Sequence, residues 1–81
     1  MIDLYMWESC PFCRKVLQAA DRMGLREGEH YRVINAAPGT PGRDVVAQKG
    51  GKAMVPFLVD GATYMYESDD IIEYLRKNAK G

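Results

Sequence analysis

The stretch Cys10-Pro11-Phe12-Cys13 follows an apolar run from Ile2 to Trp7 and precedes a helical pattern of apolar residues that extends to Met23. Its two cysteines are the only ones in the chain. Pro11 suits the first turn of a helix, where its missing N–H costs nothing. Because a helix N-terminus stabilises a thiolate, the stretch predicts thiol-disulfide exchange. Cys10, nearest the unpaired N–H groups, would be the nucleophile, and Cys13, one turn later and more buried, the resolving thiol.

Two other uses of the cysteines are weaker. A structural zinc site needs about four ligands, and the chain offers only these thiols, His30 and carboxylates, so we expect no metal. A structural disulfide is disfavoured in a reducing cytosol, and a loop this short would constrain the unfolded chain little.

Composition excludes several classes of function. The chain has 81 residues, which is room for one domain, 1–81. Eleven basic residues balance eleven acidic ones, so no net field would attract nucleic acid or an anionic membrane. The sequence has no signal-like start and no apolar run near the about 20 residues of a membrane span. We expect a cytoplasmic monomer that binds neither nucleic acid nor membrane.

Residues that typically begin or end helices, strands and turns predict seven secondary-structure elements. Pro41 would begin the second helix with Thr40 as its N-cap, and Asp60-Gly61 predicts an antiparallel hairpin. Ser68 is expected to be the N-cap of the last helix, whose apolar face includes Ile71. The expected elements are strands over Ile2–Trp7, His30–Asn35, Pro56–Val59 and Thr63–Tyr66, and helices from Pro11 to about Met23, from Pro41 to Gly50-Gly51 and from Ser68 onward. This βαβαββα order predicts an α/β fold in which a four-stranded mixed sheet carries helices on both faces.

This order, with the cysteine pair after the first strand and Val55-Pro56 before the third, resembles the thioredoxin fold in its smallest version, the glutaredoxin family. The resemblance spans nearly the whole chain. The segment Glu67-Ser68 and the residues after it also look like the glutathione-binding turn of glutathione transferase N-terminal domains.

The resemblance implies a glutathione site beside Cys10. Pro56 would follow a cis peptide bond, which leaves the backbone of Val55 to pair with the cysteinyl part of glutathione. Ser68 would receive the γ-glutamyl carboxylate at a helix N-terminus. The implied binding residues are Pro11, Phe12, Lys52, Val55, Pro56, Glu67, Ser68 and Asp69, with Glu67 or Asp69 near the ammonium group and Lys52 near the glycyl carboxylate.

Purely structural roles remain open for the same residues. A proline is acceptable at the start of an edge strand, Ser68 is a good N-cap, and Lys52 may be read as a solvated lysine. The chain also departs from the glutaredoxin pattern, since Trp7 replaces a lysine that holds glutathione in many members. Trp7 and Phe12 could rim an apolar substrate groove.

The activity that the resemblance implies is glutathione-dependent reduction of mixed and protein disulfides. Glutathione would be a co-substrate, no cofactor would be tightly bound, and the partners would be disulfide-containing or glutathionylated proteins. Two alternatives stay open: a dithiol electron donor fed by a thioredoxin-reductase-like enzyme, and an iron-sulfur cluster shared by two subunits through Cys10 and glutathione. Transferase activity is not expected, because the chain ends at Gly81 without an all-helical second domain.

Overall fold

The computed structural model describes residues 2–79 of the chain. Met1, Lys80 and Gly81 lie outside the described residues. The single domain expected over residues 1–81 is therefore described over residues 2–79. The elements in order are β1 (Ile2–Met6), α1 (Pro11–Arg22), β2 (Tyr31–Asn35), α2 (Pro41–Gly50), β3 (Phe57–Asp60), β4 (Thr63–Met65) and α3 (Ser68–Asn78).

The four strands form one mixed sheet in the order β2-β1-β3-β4. Strand β1 pairs parallel to β2, with Leu4 opposite Val33, and antiparallel to β3, with Leu4 opposite Leu58. Strands β3 and β4 form the hairpin that Asp60-Gly61 predicts. The sequence-based fold class, βαβαββα with a four-stranded mixed sheet, is therefore confirmed.

Helices cover both faces of the sheet because successive strand side chains point to opposite sides. Leu4 and Leu58 pack in one core cluster with Val16 of α1 and Ile71 of α3. Phe57 and its neighbours Tyr5 and Val59 pack on the other face against Val46 of α2. The cysteine pair at the start of α1 and the Glu67-Ser68 segment at the start of α3 are thus fixed to the same side of the sheet.

The expected signals begin and end two of the helices. Cys10 is the N-cap of α1, with an extended backbone. The Thr40 side chain accepts the N–H of Arg43 at the start of α2, and Gly51 ends that helix in the left-handed conformation with φ 86°. Thr40 and Gly51 have the roles that their residue types favour.

The expectation that Ser68 is the N-cap of α3 is wrong by one residue. Ser68 is the first helical residue, and Glu67 is the N-cap without a side-chain capping bond. The reason is the backbone, since the N–H of Ile71 donates to the carbonyl of Glu67 at 2.9 Å and so begins the helical ladder there. Strand bounds also differ by one residue in places: Trp7 lies beyond β1, and Pro56 precedes β3.

Helix α2 approaches the end of β2 closely at Gly42. A Cβ atom on Gly42 would lie 2.0 Å from the carbonyl oxygen of Asn35, so only glycine fits at this contact. Among residues 2–79, no helix is long and apolar enough to cross a membrane.

Candidate functional site

Cys10 lies where the N-terminus of α1 meets the segment before β3. Its Sγ accepts the backbone N–H of Cys13 at 3.4 Å, and its S–H donates to the carbonyl oxygen of Val55 at 3.8 Å. The thiol is free and half-buried. A backbone donor and a backbone acceptor therefore both lie beside the sulfur atom, and solvent still reaches it.

Cys13 has a different environment from Cys10. It is a free thiol with 1% of its surface exposed. Burial, and to a smaller extent the neighbouring Cys10, raises the pKa of Cys13 from 9.0 to about 12. A backbone hydrogen bond from Trp7 and the charge of Arg43 oppose this rise in pKa without cancelling it. Cys13 is consequently a neutral thiol at physiological pH.

The peptide bond between Val55 and Pro56 is cis, as the resemblance implied. Pro56 and the following Phe57 are buried, while Val55 is partly exposed. The residue before the cis proline therefore presents its carbonyl group to Cys10 rather than to a neighbouring strand.

A groove of about 160 Å³ opens beside Val55. We call it the Val55 groove, and its lining residues are Phe12, Met54, Val55, Pro56, Tyr66, Glu67 and Ser68. Five of these are in the binding set that the sequence analysis named, from three separate segments. Met54 and Tyr66 were missed. Phe12 and Met54 are the most exposed apolar side chains here, at 61% and 49%.

Three residues of the named set do not line this groove. The Asp69 carboxylate forms an ion pair with Lys15 of α1, 2.6 Å from its Nζ. Lys52 is exposed on the loop after α2, and Pro11 is exposed in the first turn of α1. The binding roles of these three residues stay predictions.

A larger pocket of about 660 Å³ lies on the other side of the cysteine pair. Trp7, Cys13, Leu17 and Val33 are among its lining residues. The guanidinium carbon of Arg43 lies 6.0 Å from the centroid of the Trp7 ring. Trp7 and Phe12 thus line separate pockets, and the expectation that they rim one groove is wrong.

Within residues 2–79, no three His, Cys, Asp or Glu side chains are close enough together to hold a metal ion. The ion pairs in this part of the chain lie on the surface, such as that between Asp3 and Arg32.

The arrangement defines the class of protein. A cysteine N-cap, a cis proline facing it and a helix beginning at Glu67-Ser68 on this sheet topology belong to the thioredoxin-like fold. The family model for the glutathione S-transferase N-terminal domain matches residues 4–81. The chain belongs to this family, whereas the match does not single out the glutaredoxins, which the motifs resemble.

Solved structures of transferases share the fold. A delta-class glutathione transferase of Nilaparvata lugens is 24% identical with a TM-score of 0.79, over 100% of this chain and 37% of that one. A theta-class enzyme of Xanthomonas axonopodis pv. citri, solved with glutathione bound, is 26% identical with a TM-score of 0.73. The match covers 96% of this chain and 37% of that one. Human glutathione-S-transferase T1-1 is 23% identical with a TM-score of 0.77, over 98% and 32%.

The chain thus spans about a third to two fifths of the length of these solved transferases. A search of curated protein sequences found no significant match. The comparisons define the family and the fold.

Proposed function

We propose that the protein is a glutathione-dependent thiol-disulfide oxidoreductase, with Cys10 as nucleophile and Cys13 as resolving thiol. One observation carries the proposal: the Cys10 sulfur lies at the N-terminus of α1, 3.8 Å from the carbonyl oxygen of Val55, the residue before cis Pro56. At this position the sulfur accepts the N–H of Cys13 and lies at the positive end of the helix dipole. A partner sulfur bound along Val55 would lie within reach of it.

The first step is attack of the Cys10 thiolate on the glutathionyl sulfur of a mixed disulfide. A Cys10-glutathione disulfide forms, and the substrate leaves as a thiolate that takes a proton from solvent. In the second step another glutathione thiolate attacks the glutathionyl sulfur of this intermediate. Oxidised glutathione leaves, and the Cys10 thiolate is restored.

Cys13 offers a second exit from the intermediate. After losing its proton, Cys13 can attack the Cys10 sulfur, expel glutathione and form an internal disulfide. Because the pKa of Cys13 is about 12, very little of it is thiolate at neutral pH. The high pKa of Cys13 therefore favours the exit through a second glutathione.

The Val55 groove supports a particular placement of glutathione. Its cysteinyl part would pair with the Val55 backbone, and its γ-glutamyl carboxylate would meet the N-terminus of α3 at Ser68. Glu67 is the better candidate for the ammonium group, because Asp69 is paired with Lys15. The theta-class relative, solved with glutathione bound, shares this fold. Lys52 remains our candidate for the glycyl carboxylate.

A titration with glutathione, followed by backbone amide chemical shifts, tests the proposal. We expect the amides of Val55 and Ser68 to shift at millimolar glutathione, and Ser68→Ala to weaken the response. Lys77→Ala, on an exposed position of the last turn of α3, is the matched control. Absence of any response around the groove would overturn the glutathione assignment.

Family membership favours a second candidate, conjugation of glutathione to an electrophile. The two activities differ in what becomes of glutathione. Disulfide reduction yields oxidised glutathione, whereas conjugation consumes one glutathione per electrophile and yields a thioether. Assaying both products with an aryl halide and with a glutathionylated peptide separates the two candidates.

A further inference from the structure

The segment that carries Val55 is held by side chains from elsewhere in the fold. We call residues 51–55 the Val55 arm; they lie between α2 and β3 and belong to no helix or strand. The N–H of Lys52 donates to the hydroxyl oxygen of Tyr66 at 3.0 Å, and this hydroxyl donates to the carbonyl of Lys52 at 2.7 Å. One hydroxyl group thus occupies both backbone groups of a single residue of the arm.

Tyr66 joins two parts of the groove. Its ring packs against Phe57, with ring centroids 4.7 Å apart, and its backbone leads directly into Glu67. Gly50 makes room for its hydroxyl, since a Cβ on Gly50 would lie 2.0 Å from that oxygen. The hydroxyl therefore ties the Val55 side of the groove to the side formed by Glu67 and Ser68.

Arg43 holds the next residue of the same arm. From the first turn of α2, its Nη1 donates to the carbonyl of Ala53 at 2.6 Å, while its Nε donates to the carbonyl of Ala36 at 2.7 Å. The planar guanidinium presents these donors in a fixed fork, so two carbonyls on different loops are bridged by one rigid group. Lysine cannot reproduce this bridge.

We propose that Tyr66 and Arg43 are positioning residues, which fix the Val55 arm so that the carbonyl of Val55 faces the Cys10 sulfur. They act at consecutive residues, Lys52 and Ala53, just before Met54 and Val55. The consequence for ligand affinity rests on the proposed function, whereas the consequence for the arm itself does not. Loss of either contact leaves the arm with fewer restraints and lowers its complementarity to a bound thiol peptide.

The first test needs no ligand. Tyr66→Phe removes one oxygen and keeps the ring that packs on Phe57. Tyr64→Phe is the matched control, because Tyr64 is 43% exposed on β4 and keeps its ring contact with Phe57 as phenylalanine. We expect the amide resonances of residues 52–55 to shift in Tyr66→Phe and to stay in place in Tyr64→Phe.

The second test measures the affinity for glutathione and the rate at saturating substrate. In Tyr66→Phe, affinity for glutathione should fall about five-fold, the size expected for one lost hydrogen bond, with the rate at saturating substrate unchanged. Arg43→Lys should lower the affinity for glutathione in the same way, although the side chain keeps its charge. Arg22→Lys, at the exposed end of α1, is the control and should bind glutathione as the wild type does. Melting temperatures of all variants exclude simple unfolding.

Each outcome has one meaning. Unchanged resonances at residues 52–55 in both Tyr66→Phe and Arg43→Lys overturn the positioning role, whether or not glutathione binds. Shifted resonances with an unchanged affinity for glutathione also overturn the positioning role. So does a rate at saturating substrate that falls by the same factor as the affinity for glutathione. If the wild type does not bind glutathione, the proposed function is wrong, and the resonances alone then decide the positioning role.

Discussion

The Cys10 thiol donates a hydrogen bond to the carbonyl of Val55 across 3.8 Å, although the two residues are 45 positions apart in the chain. The contact places the N-terminus of α1 against the residue before cis Pro56. It also orients the sulfur toward the Val55 groove, while Cys13 lines the larger pocket on the other side. The two thiols of one motif therefore meet different surroundings.

Alkylation should distinguish the two thiols. Cys13 is 1% exposed, and burial raises its pKa to about 12, so it offers neither access nor thiolate to a reagent at neutral pH. With iodoacetamide under native conditions we expect one adduct, on Cys10, by peptide mass spectrometry. Both cysteines should react in denaturant. An adduct forming first on Cys13 would show that the assigned roles are reversed.

Stability should fall at alkaline pH because of Cys13. Its folded pKa of about 12 lies above the ordinary 9.0, so the folded chain keeps a proton that the unfolded chain loses. The resulting stabilisation is complete below pH 9.0 and is lost as the pH rises toward 12. Urea unfolding under reducing conditions should show a fall of up to about 1.4 kcal/mol per pH unit from this group.

The control for this pH dependence is Cys13→Ala, which should show a shallower alkaline decline. Tyr31 and Tyr74 also have raised pKa values, from burial and from the hydrogen bond to Asp60 respectively, and both contribute in the same direction. The difference in alkaline decline between the wild type and Cys13→Ala therefore gives the contribution of Cys13 alone. Parallel declines in the two proteins would mean that the Cys13 pKa is not raised by folding.

Two acidic residues at the start of α3 should differ in their effect on the binding of glutathione. Glu67 lines the groove, whereas the Asp69 carboxylate is paired with Lys15. We expect Glu67→Gln to weaken glutathione binding several-fold and Asp69→Asn to change it less than about two-fold. Calorimetric titration of both variants measures the contrast. A larger loss in Asp69→Asn would assign the ammonium group to Asp69 instead.

Removing the exposed ion pair should matter little to folding. Such pairs contribute about 0 to 1 kcal/mol, so Asp69→Asn should unfold at nearly the wild-type urea concentration. This makes it a clean comparison for Glu67→Gln.

Local signals in the sequence were sufficient for most of the fold. Thr40 with Pro41 and the left-handed Gly51 bounded α2, and the cysteine turn marked the start of α1. The error at Ser68 arose because serine is a favoured N-cap, whereas here the backbone of Glu67 takes that position. Residue type alone does not distinguish adjacent cap positions.

The cysteine pair was predicted from its position at a helix start, and the other residues of the candidate site were predicted from the resemblance. Five residues lining the Val55 groove were named from motifs, but Met54 and Tyr66 were not. The roles of Tyr66 and Arg43 depend on side chains reaching backbone carbonyls on other loops, and no local pattern encodes such contacts. The pairing of Asp69 with Lys15 likewise joins positions 54 apart.

The most direct measurement compares Cys10→Ser with Cys13→Ser in glutathione-dependent reduction of a glutathionylated peptide. Cys10 supplies the attacking sulfur, so Cys10→Ser should lose activity to background. Cys13→Ser should keep most of it, because a second glutathione can resolve the intermediate. Full activity in Cys10→Ser, together with its loss in Cys13→Ser, would contradict the account.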